Sequence, residues 1–272
     1  MGSCASRRYS SEQVEAHYKQ TMGDSTFEGN YTIEAKIGSG GFGTIYKVKH
    51  ISGEELVAKK IETGDLPSEV TIMSQLNHAN IIRLIEFFSQ PSRTILILEY
   101  LPDCMDLFDY IDIKRRIPEK NAKHIIRQLT SALCYLHEEK EYAHLDVKPE
   151  NILILPKSGD IKIIDFGASQ PISPYLLTTF KGTRQYASPE ILFQKSYDPV
   201  AADVWAVGVT LFKMVMGHLP FKKSRDYMSP LVFRHTEVSN ICLETIAIIL
   251  NPNPQLRPAS IRDVKQCYWL NF

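Results

Sequence analysis

Three glycines near the start of the chain have a spacing that could bring the backbone close to a phosphate group. Gly38, Gly40 and Gly43 form a GxGxxG pattern. Glycine permits close approach to phosphate oxygens and positive φ angles without steric cost. A dinucleotide-binding turn would require a helix directly afterwards, whereas residues 44–50 alternate like a strand. The pattern therefore favours a strand-turn-strand flap over nucleotide phosphates, with an unliganded hairpin as the alternative.

A second group of polar residues includes side chains that could hold a divalent cation. Asp146, Lys148 and Asn151 fall within one short segment, and Asp165 begins an Asp-Phe-Gly sequence after it. Asparagine and aspartate supply the hard oxygen ligands that Mg²⁺ prefers. Each residue alone is compatible with ordinary solvated surface, so the hypothesis depends on the whole group.

With these motifs in this order, residues 31–270 resemble the protein kinase family. The matching features are the glycine-rich loop, the strand sequence Val57-Ala58-Lys59-Lys60, residues 142–151, which we call the catalytic segment, and Asp-Phe-Gly. Gly182-Thr183 and Ala187-Ser188-Pro189-Glu190 continue the likeness. The resemblance implies a kinase that uses ATP and Mg²⁺ to phosphorylate protein substrates.

The resemblance also implies a role for each matching residue. Lys60 is expected to bind the ATP phosphates, with Glu69 orienting it through an ion pair. Asp146 would accept or orient the substrate proton, and Lys148 would lie against the transferred phosphate. Asn151 and Asp165 would hold Mg²⁺. The expected ATP-binding residues are Ile37, Gly38, Ser39, Gly40, Gly41, Phe42, Gly43, Ile45, Ala58, Lys60, Leu98, Glu99, Leu101 and Leu153.

The elements that must position these residues indicate an α+β, bilobal fold. Short strand patterns dominate residues 31–100, with one helix, and helical periodicity dominates residues 101–270. Residues 1–30 are expected to form a flexible tail. The predicted strands are residues 31–37, 44–50, 55–61, 81–88 and 94–100, and the predicted helices are residues 67–77, 118–139, 200–217, 239–250 and 260–270.

Within the family, Lys148 and Gly182-Thr183 resemble serine/threonine kinases, of the calmodulin-dependent group and most closely the Pim type. Residues 97–111 carry this likeness. Pim-like kinases favour basic substrates, which suggests that carboxylates here receive substrate arginines. Acidic residues at helix starts can instead cap the helix or complement its dipole. The substrate-site residues expected from the match are Glu150, Asp106, Asp109 and Thr183.

Two departures from the family pattern bear on activity. Leu145 stands where an arginine usually precedes the catalytic aspartate, so we expect less dependence on activation-loop phosphorylation. Only nine positions separate Lys60 from Glu69, which places Glu69 in the first turn of a shortened helix, where fraying could leave Lys60 poorly oriented. A nucleotide-binding pseudokinase scaffold is therefore the alternative function, and a structural domain that binds no nucleotide is the third.

The N-terminus and composition bear on location and partners. Gly2 and Ser6 fit an N-myristoylation pattern, and Cys4 could be palmitoylated as the second anchor that stable membrane binding needs. We expect a cytoplasmic protein held at the cytoplasmic face of a membrane. With 31 basic and 31 acidic residues, the chain has no overall charge favouring nucleic acid. A monomer is expected, with no dependence on a C-terminal regulatory tail.

Overall fold

The chain forms two compact units in the computed structural model. The structure describes residues 13–14, 26–40, 43–63, 66–193, 196–221, 226–227, 229, 231–233 and 237–272. The N-terminal unit comprises the residues up to His78 and Ile82–Pro102, and the C-terminal unit comprises Ala79–Ile81 and Asp103–Phe272. The division between the two units falls at Pro102, two residues after the expected change from strand to helix patterns.

The N-terminal unit is built on an antiparallel sheet with the strand order β1-β2-β3-β5-β4. All five predicted strands form. The fourth begins three residues later than expected, because Ile81 instead makes a bridge to Ile163 of the C-terminal unit's small sheet. The strands are β1 Tyr31–Gly40, β2 Gly43–His50, β3 Glu55–Ile61, β4 Leu84–Gln90 and β5 Arg93–Glu99.

The segment before the sheet is partly ordered, which corrects the expected tail of residues 1–30. Phe27–Asn30 form a short helix, α1, whose first turn is capped by the Thr26 side chain. Phe27 is buried and stacks on Tyr31 with ring centroids 5.5 Å apart. Burying an aromatic ring stabilises the fold enough to order the backbone around it, so the folded unit begins before Tyr31.

A single short helix, α2 at Ser68–Met73, follows the third strand. It is shorter than the predicted helix over residues 67–77. Its first turn contains Glu69, as expected, and its buried residues include Val70, Ile72 and Met73. Since six residues cannot sustain a helix in isolation, the burial of this apolar face is what stabilises it.

The C-terminal unit is mainly helical. Its small strands are β6 Met105–Asp106, β7 Tyr142–Ala143, β8 Ile152–Ile154, β9 Ile161–Ile163 and β10 Gln170–Pro171. The predicted helix at residues 118–139 ends in a wider π turn at Tyr135–Glu139, and that at residues 260–270 is two short helices. The helices are α3 Leu107–Lys114, α4 Glu119–Cys134, α5 Pro189–Phe193, α6 Pro199–Met216, α7 Asn240–Ile249, α8 Ile261–Lys265 and α9 Tyr268–Asn271.

Helix α6 is the central helix of this unit. Asp198 caps its first turn, Pro199 occupies the first helical position, and Gly217 ends it with φ of 78°. By length and composition alone α6 could cross a membrane, but 89% of its residues are buried inside the protein. The same test is passed by core helices, and the burial identifies α6 as one.

A buried ion pair fixes the chain around α5. Both terminal nitrogens of Arg257 donate to the carboxylate of Glu190 at 2.7 Å, and both side chains are almost fully buried. This bidentate geometry is the strong form of the arginine-carboxylate pair. Burial with complete pairing makes it a contact that stabilises the fold around α5.

The burial of Phe27 predicts a measurable loss of stability on truncation. We expect Phe27→Ala to lower the free energy of unfolding of the N-terminal unit by about 3 kcal/mol, as for other buried phenylalanines. Urea unfolding followed by fluorescence measures the change. Ile51→Ala is the control, since Ile51 is 75% exposed and should cost less than about 0.5 kcal/mol. If Phe27→Ala has an equally small effect, the folded unit begins at Tyr31 and not before it.

Candidate active site

Two adjacent lysines on β3 point to opposite faces of the sheet. Lys59 pairs across the sheet with Ile45 and with Leu96, and its side chain reaches Glu69 on α2. The Lys59 Nζ donates to both carboxylate oxygens of Glu69, at 2.8 and 2.9 Å. The two side chains are 8% and 5% exposed, so the ion pair is shielded from solvent.

The expected pairing of Lys60 with Glu69 is therefore wrong by one residue. The Lys60 ammonium instead lies 2.9 Å from Glu62, and its side chain is 29% exposed. Ala58, expected beside the nucleotide, packs in the apolar cluster with Val48 and Leu56. A shift of one residue along a strand reverses the face of every side chain, so one misplaced register accounts for both errors.

The register is set by the turn between β2 and β3. Gly53 has φ of 95°, and pairing runs from Lys49 opposite Glu55 to Thr44 opposite Lys60. Val57, opposite Leu98, shares the face of Lys59. Counting the residue pairs of β2 and β3 outward from this turn could have identified Lys59, from the sequence alone, as the lysine that shares a face with Val57.

Glu69 is not loosely held, although it lies in the first turn of a short helix. It is only 4% exposed, and the two bonds from Lys59 fix its carboxylate. Removing either partner of a buried pair leaves a charge without compensation and costs about 3–5 kcal/mol. The pair therefore anchors α2 to β3 at the point where fraying was expected.

The glycine-rich segment is the connection between β1 and β2. Gly38, Ser39 and Gly40 end β1 and Gly43 begins β2, while Gly41 and Phe42 lie outside the described residues. Gly43 has φ of 125°, and a Cβ there would be 2.4 Å from the Lys60 carbonyl oxygen. Only glycine fits this close approach of two strands.

The remaining expected nucleotide residues lie at several places in the two units. Ile37 is 52% exposed on β1. Leu98 and Glu99 end β5, and the Glu99 carboxylate accepts a hydrogen bond from the Arg83 amide at 2.8 Å. Leu101 follows β5 in the N-terminal unit, and Leu153 lies on β8 of the C-terminal unit. Their contact with adenine stays a prediction.

The catalytic segment of the C-terminal unit forms a closed polar network around Asp146. One Asp146 oxygen accepts the Thr183 amide at 2.8 Å, and the other lies 2.7 Å from the Lys148 ammonium and 2.8 Å from the Asn151 side-chain nitrogen. Lys148 also donates to the Thr183 hydroxyl at 2.6 Å. The structure thus brings together four residues that were predicted separately.

These contacts determine the protonation of Asp146. Burial by itself would raise the pKa of this carboxyl, but the hydrogen bonds from Lys148 and Thr183 outweigh burial and hold the pKa below its usual range. Asp146 is therefore ionised at neutral pH, which a group that accepts or orients a hydroxyl proton requires.

The donor atoms predicted for Mg²⁺ have suitable chemistry. The Asn151 amide nitrogen donates both to the Asp146 carbonyl and to its carboxylate, which leaves the amide oxygen of Asn151 as the atom that can face a cation. Asp165 has φ of 65° and accepts the Gly167 amide at 3.3 Å. An amide oxygen and a carboxylate fit a hard divalent cation.

Asp203 on α6 holds the backbone of the catalytic segment. Its two carboxylate oxygens accept the amides of His144 at 2.7 Å and Leu145 at 2.8 Å, and one also bonds His137 at 2.8 Å. Leu145 has φ of 63°, a conformation that is unfavourable for a residue with a Cβ. The bonds to Asp203 compensate for this strain.

Leu145 also anchors the segment that follows Asp-Phe-Gly. It lies in an apolar cluster with Ala143 and Tyr197, against which Leu177 and Phe180 pack. A Cβ on Gly182 would lie 2.1 Å from the Leu145 carbonyl oxygen, so the segment approaches as closely as glycine allows. Hydrophobic contact therefore holds this segment around Leu145, where the family pattern led us to expect an arginine.

Comparison with known proteins settles what this arrangement is. A family model described as a protein kinase domain matches residues 31–270. The chain belongs to the protein kinase family. It is 33% identical over 275 residues to the serine/threonine-protein kinase pim-2 of Danio rerio, covering 93% of this chain and 88% of that protein.

Other similar kinases are longer. The SNF-related serine/threonine-protein kinase of Homo sapiens is 34% identical over 264 residues, which cover 91% of this chain and 34% of the relative. The maternal embryonic leucine zipper kinase of Xenopus tropicalis is 38% identical over 202 residues, or 70% of this chain and 30% of the relative. This chain therefore spans about a third of the length of these two relatives. The relatives support an ATP-dependent serine/threonine protein kinase that is most like the Pim type, while membership of the calmodulin-dependent group stays a prediction.

Asp106, one of the three carboxylates expected to receive substrate arginines, has a structural contact in this kinase. Asp106 caps α3, and its side chain accepts the Asp109 amide at 2.7 Å, as the capping alternative anticipated. Glu150 lies in the turn at Pro149–Asn151. Burial lowers the pKa of Lys213 on α6, and the charges of Glu150 and Asp106 oppose this shift. No sequence motif singles out Lys213.

The geometry of β3 predicts which lysine the kinase needs. We expect Lys59→Met to reduce kcat/KM at least about a hundredfold, because a preorganised charge is lost. Lys60→Met removes only a partly exposed ion pair and should change kcat/KM less than about threefold. Phosphate transfer to a peptide measures both, with melting temperatures as the folding control. A larger loss for Lys60→Met would mean that Lys60 meets the phosphates.

Proposed function

We propose that this serine/threonine protein kinase is catalytically competent as folded, rather than a nucleotide-binding scaffold. The buried bond between Lys59 and Glu69 is the observation that carries the proposal. The shortened helix was the main argument for the scaffold, since it placed Glu69 where helices fray. The described structure instead has Glu69 buried and paired.

Each described residue has a role that phosphoryl transfer requires. Lys59 would bind the phosphates of ATP, oriented by Glu69. Asp146 would accept or orient the hydroxyl proton of the substrate serine or threonine, and Lys148 would neutralise charge on the transferred group. Asn151 and Asp165 would hold Mg²⁺, which when bound offsets the charge of the phosphates.

The kinase is further proposed to be active without phosphorylation of its activation segment. A phosphate on such a segment normally acts through new arginine pairs, and Leu145 cannot form one. The packing of Leu177 and Phe180 on the Leu145 cluster supports the proposal. Among the hydroxyl residues that follow Asp-Phe-Gly, Ser169 is 6% exposed and donates to the His144 carbonyl, whereas Ser173, Thr178 and Thr179 are exposed.

Phosphate transfer from ATP to serine peptides tests the activity. We expect turnover that falls at least about a hundredfold in Asp146→Asn and changes less than about twofold after phosphatase treatment of the purified kinase. Added Ca²⁺-calmodulin should leave the rate unchanged, because dependence on a C-terminal regulatory tail is not expected.

Two outcomes would contradict the proposal in different ways. A rise in melting temperature with ATP and Mg²⁺ but no transfer to any peptide would favour the scaffold. Activity that disappears with phosphatase treatment would retain the kinase and reject only its independence from phosphorylation. Leu145→Ala is the matched variant, and it should lower both activity and stability because it opens the apolar cluster.

The kinase is also proposed to be held at the cytoplasmic face of a membrane by acylation of Gly2 and Cys4. Both residues lie outside the described part of the chain, so the support is the N-terminal sequence pattern alone. One myristoyl chain binds membranes only marginally, with an association constant of about 10⁴ M⁻¹, and a second acyl group makes the attachment stable. A monomeric state stays a prediction.

Labelling in cells tests this attachment. Labelled myristate should enter the wild-type kinase and not Gly2→Ala, and Gly2→Ala should move from the membrane to the soluble fraction. Cys4→Ser should retain the myristate but bind membranes more weakly. Absence of label, with unchanged fractionation of Gly2→Ala, would reject acylation.

A further inference from the structure

Lys213 is a buried cation beside the catalytic segment. It lies near the end of α6 and is 8% exposed. Its ammonium is 3.2 Å from the Tyr186 hydroxyl and 3.7 Å from the ring centroid of Phe108. A buried lysine loses hydration and is tolerated only where other groups compensate for that loss.

The compensating groups include carboxylates that were expected to receive substrate arginines. Burial lowers the pKa of Lys213, and the charges of Glu150, Asp106 and Asp112 act in the opposite direction. Burial raises the pKa of Tyr186, and the neighbouring charge of Glu150 raises it further. Lys213, Tyr186, Glu150 and Asp106 therefore form one electrostatically connected group.

This group adjoins the position where an acceptor peptide must lie. Glu150 is four residues after Asp146, and Tyr186 is three residues after Thr183, which contacts Asp146. A basic side chain on the peptide, just before the acceptor hydroxyl, is the ligand that Glu150 and Asp106 would otherwise attract.

We propose that Lys213 is an internal substitute for a substrate arginine and that this kinase therefore phosphorylates serine or threonine without selecting arginine at the position read by Glu150. The charge of Lys213 partly offsets that of the Glu150 carboxylate, and it repels a second cation. Asp106 is further occupied by its hydrogen bond to the Asp109 amide. The proposal rests on the proposed catalytic competence and replaces the expectation that these carboxylates bind basic substrates.

A peptide series measures the substitution directly. The acceptor is a neutral serine peptide, compared with peptides in which a single alanine before the serine is replaced by arginine, one position at a time. For wild-type kinase we expect kcat/KM to vary less than about threefold among them. In Lys213→Met, arginine at one position should raise kcat/KM about tenfold, the size of a charge-assisted hydrogen bond.

Three matched variants identify the cause of any gain. Lys213→Arg keeps the cation and should behave as wild type. Glu150→Gln in the Lys213→Met background should abolish the gain, since the freed carboxylate is removed. Lys120→Met, at an exposed site on α4, should leave the wild-type pattern unchanged. Melting temperatures show whether each variant folds.

The outcomes separate this proposal from the proposed function. A tenfold or greater preference of the wild-type kinase for arginine, at a position where Glu150→Gln removes that preference, would overturn the proposal even if Lys213→Met failed to fold. So would a folded Lys213→Met without any gain. Failure of wild-type kinase to phosphorylate every peptide, including the neutral one, would instead overturn catalytic competence.

Discussion

The described C-terminal unit depends on one buried carboxylate, that of Asp203. It accepts two consecutive backbone amides, those of His144 and Leu145, and so holds the chain in a turn that a leucine would otherwise avoid. Asp146 follows this turn directly. Because Asp203 lies on the rigid core helix α6, the position of Asp146 is determined by the packing of the core. The position of the Asp146 carboxylate is therefore fixed by the burial of the apolar residues of α6.

In the N-terminal unit, an ion pair positions a charged side chain. Helix α2 is too short to be stable alone, yet Glu69 must be positioned within it. The shielded bond to Lys59 and the buried residues Val70 and Ile72 do so together. At Leu145, apolar contacts with Leu177 and Phe180 are made at the position where the family pattern led us to expect an arginine.

The sequence predicted the fold class and the five strands, and it singled out residues whose side chains contact Asp146. These follow from periodicity and from motifs whose residues are near one another in the chain. It misplaced the paired lysine, because the face of Lys59 or Lys60 depends on a register set by the turn at Gly53. It ended the tail too late, because the burial of Phe27 depends on Tyr31 and on Phe88, which is distant in sequence. It did not identify Lys213, because the groups that surround Lys213 come from α3, from the turn at Glu150 and from the segment at Tyr186.

Helix α6 carries both Asp203 and Lys213, ten residues apart, or about 15 Å along the helix axis. The residue that fixes the catalytic turn and the residue beside Glu150 are thus on the same rigid element but nearly three turns from each other. A lineage of such kinases could change position 213 repeatedly, and so acquire new substrates, while the catalytic turn stayed intact. Substrate range can then diverge within the family faster than the chemistry itself.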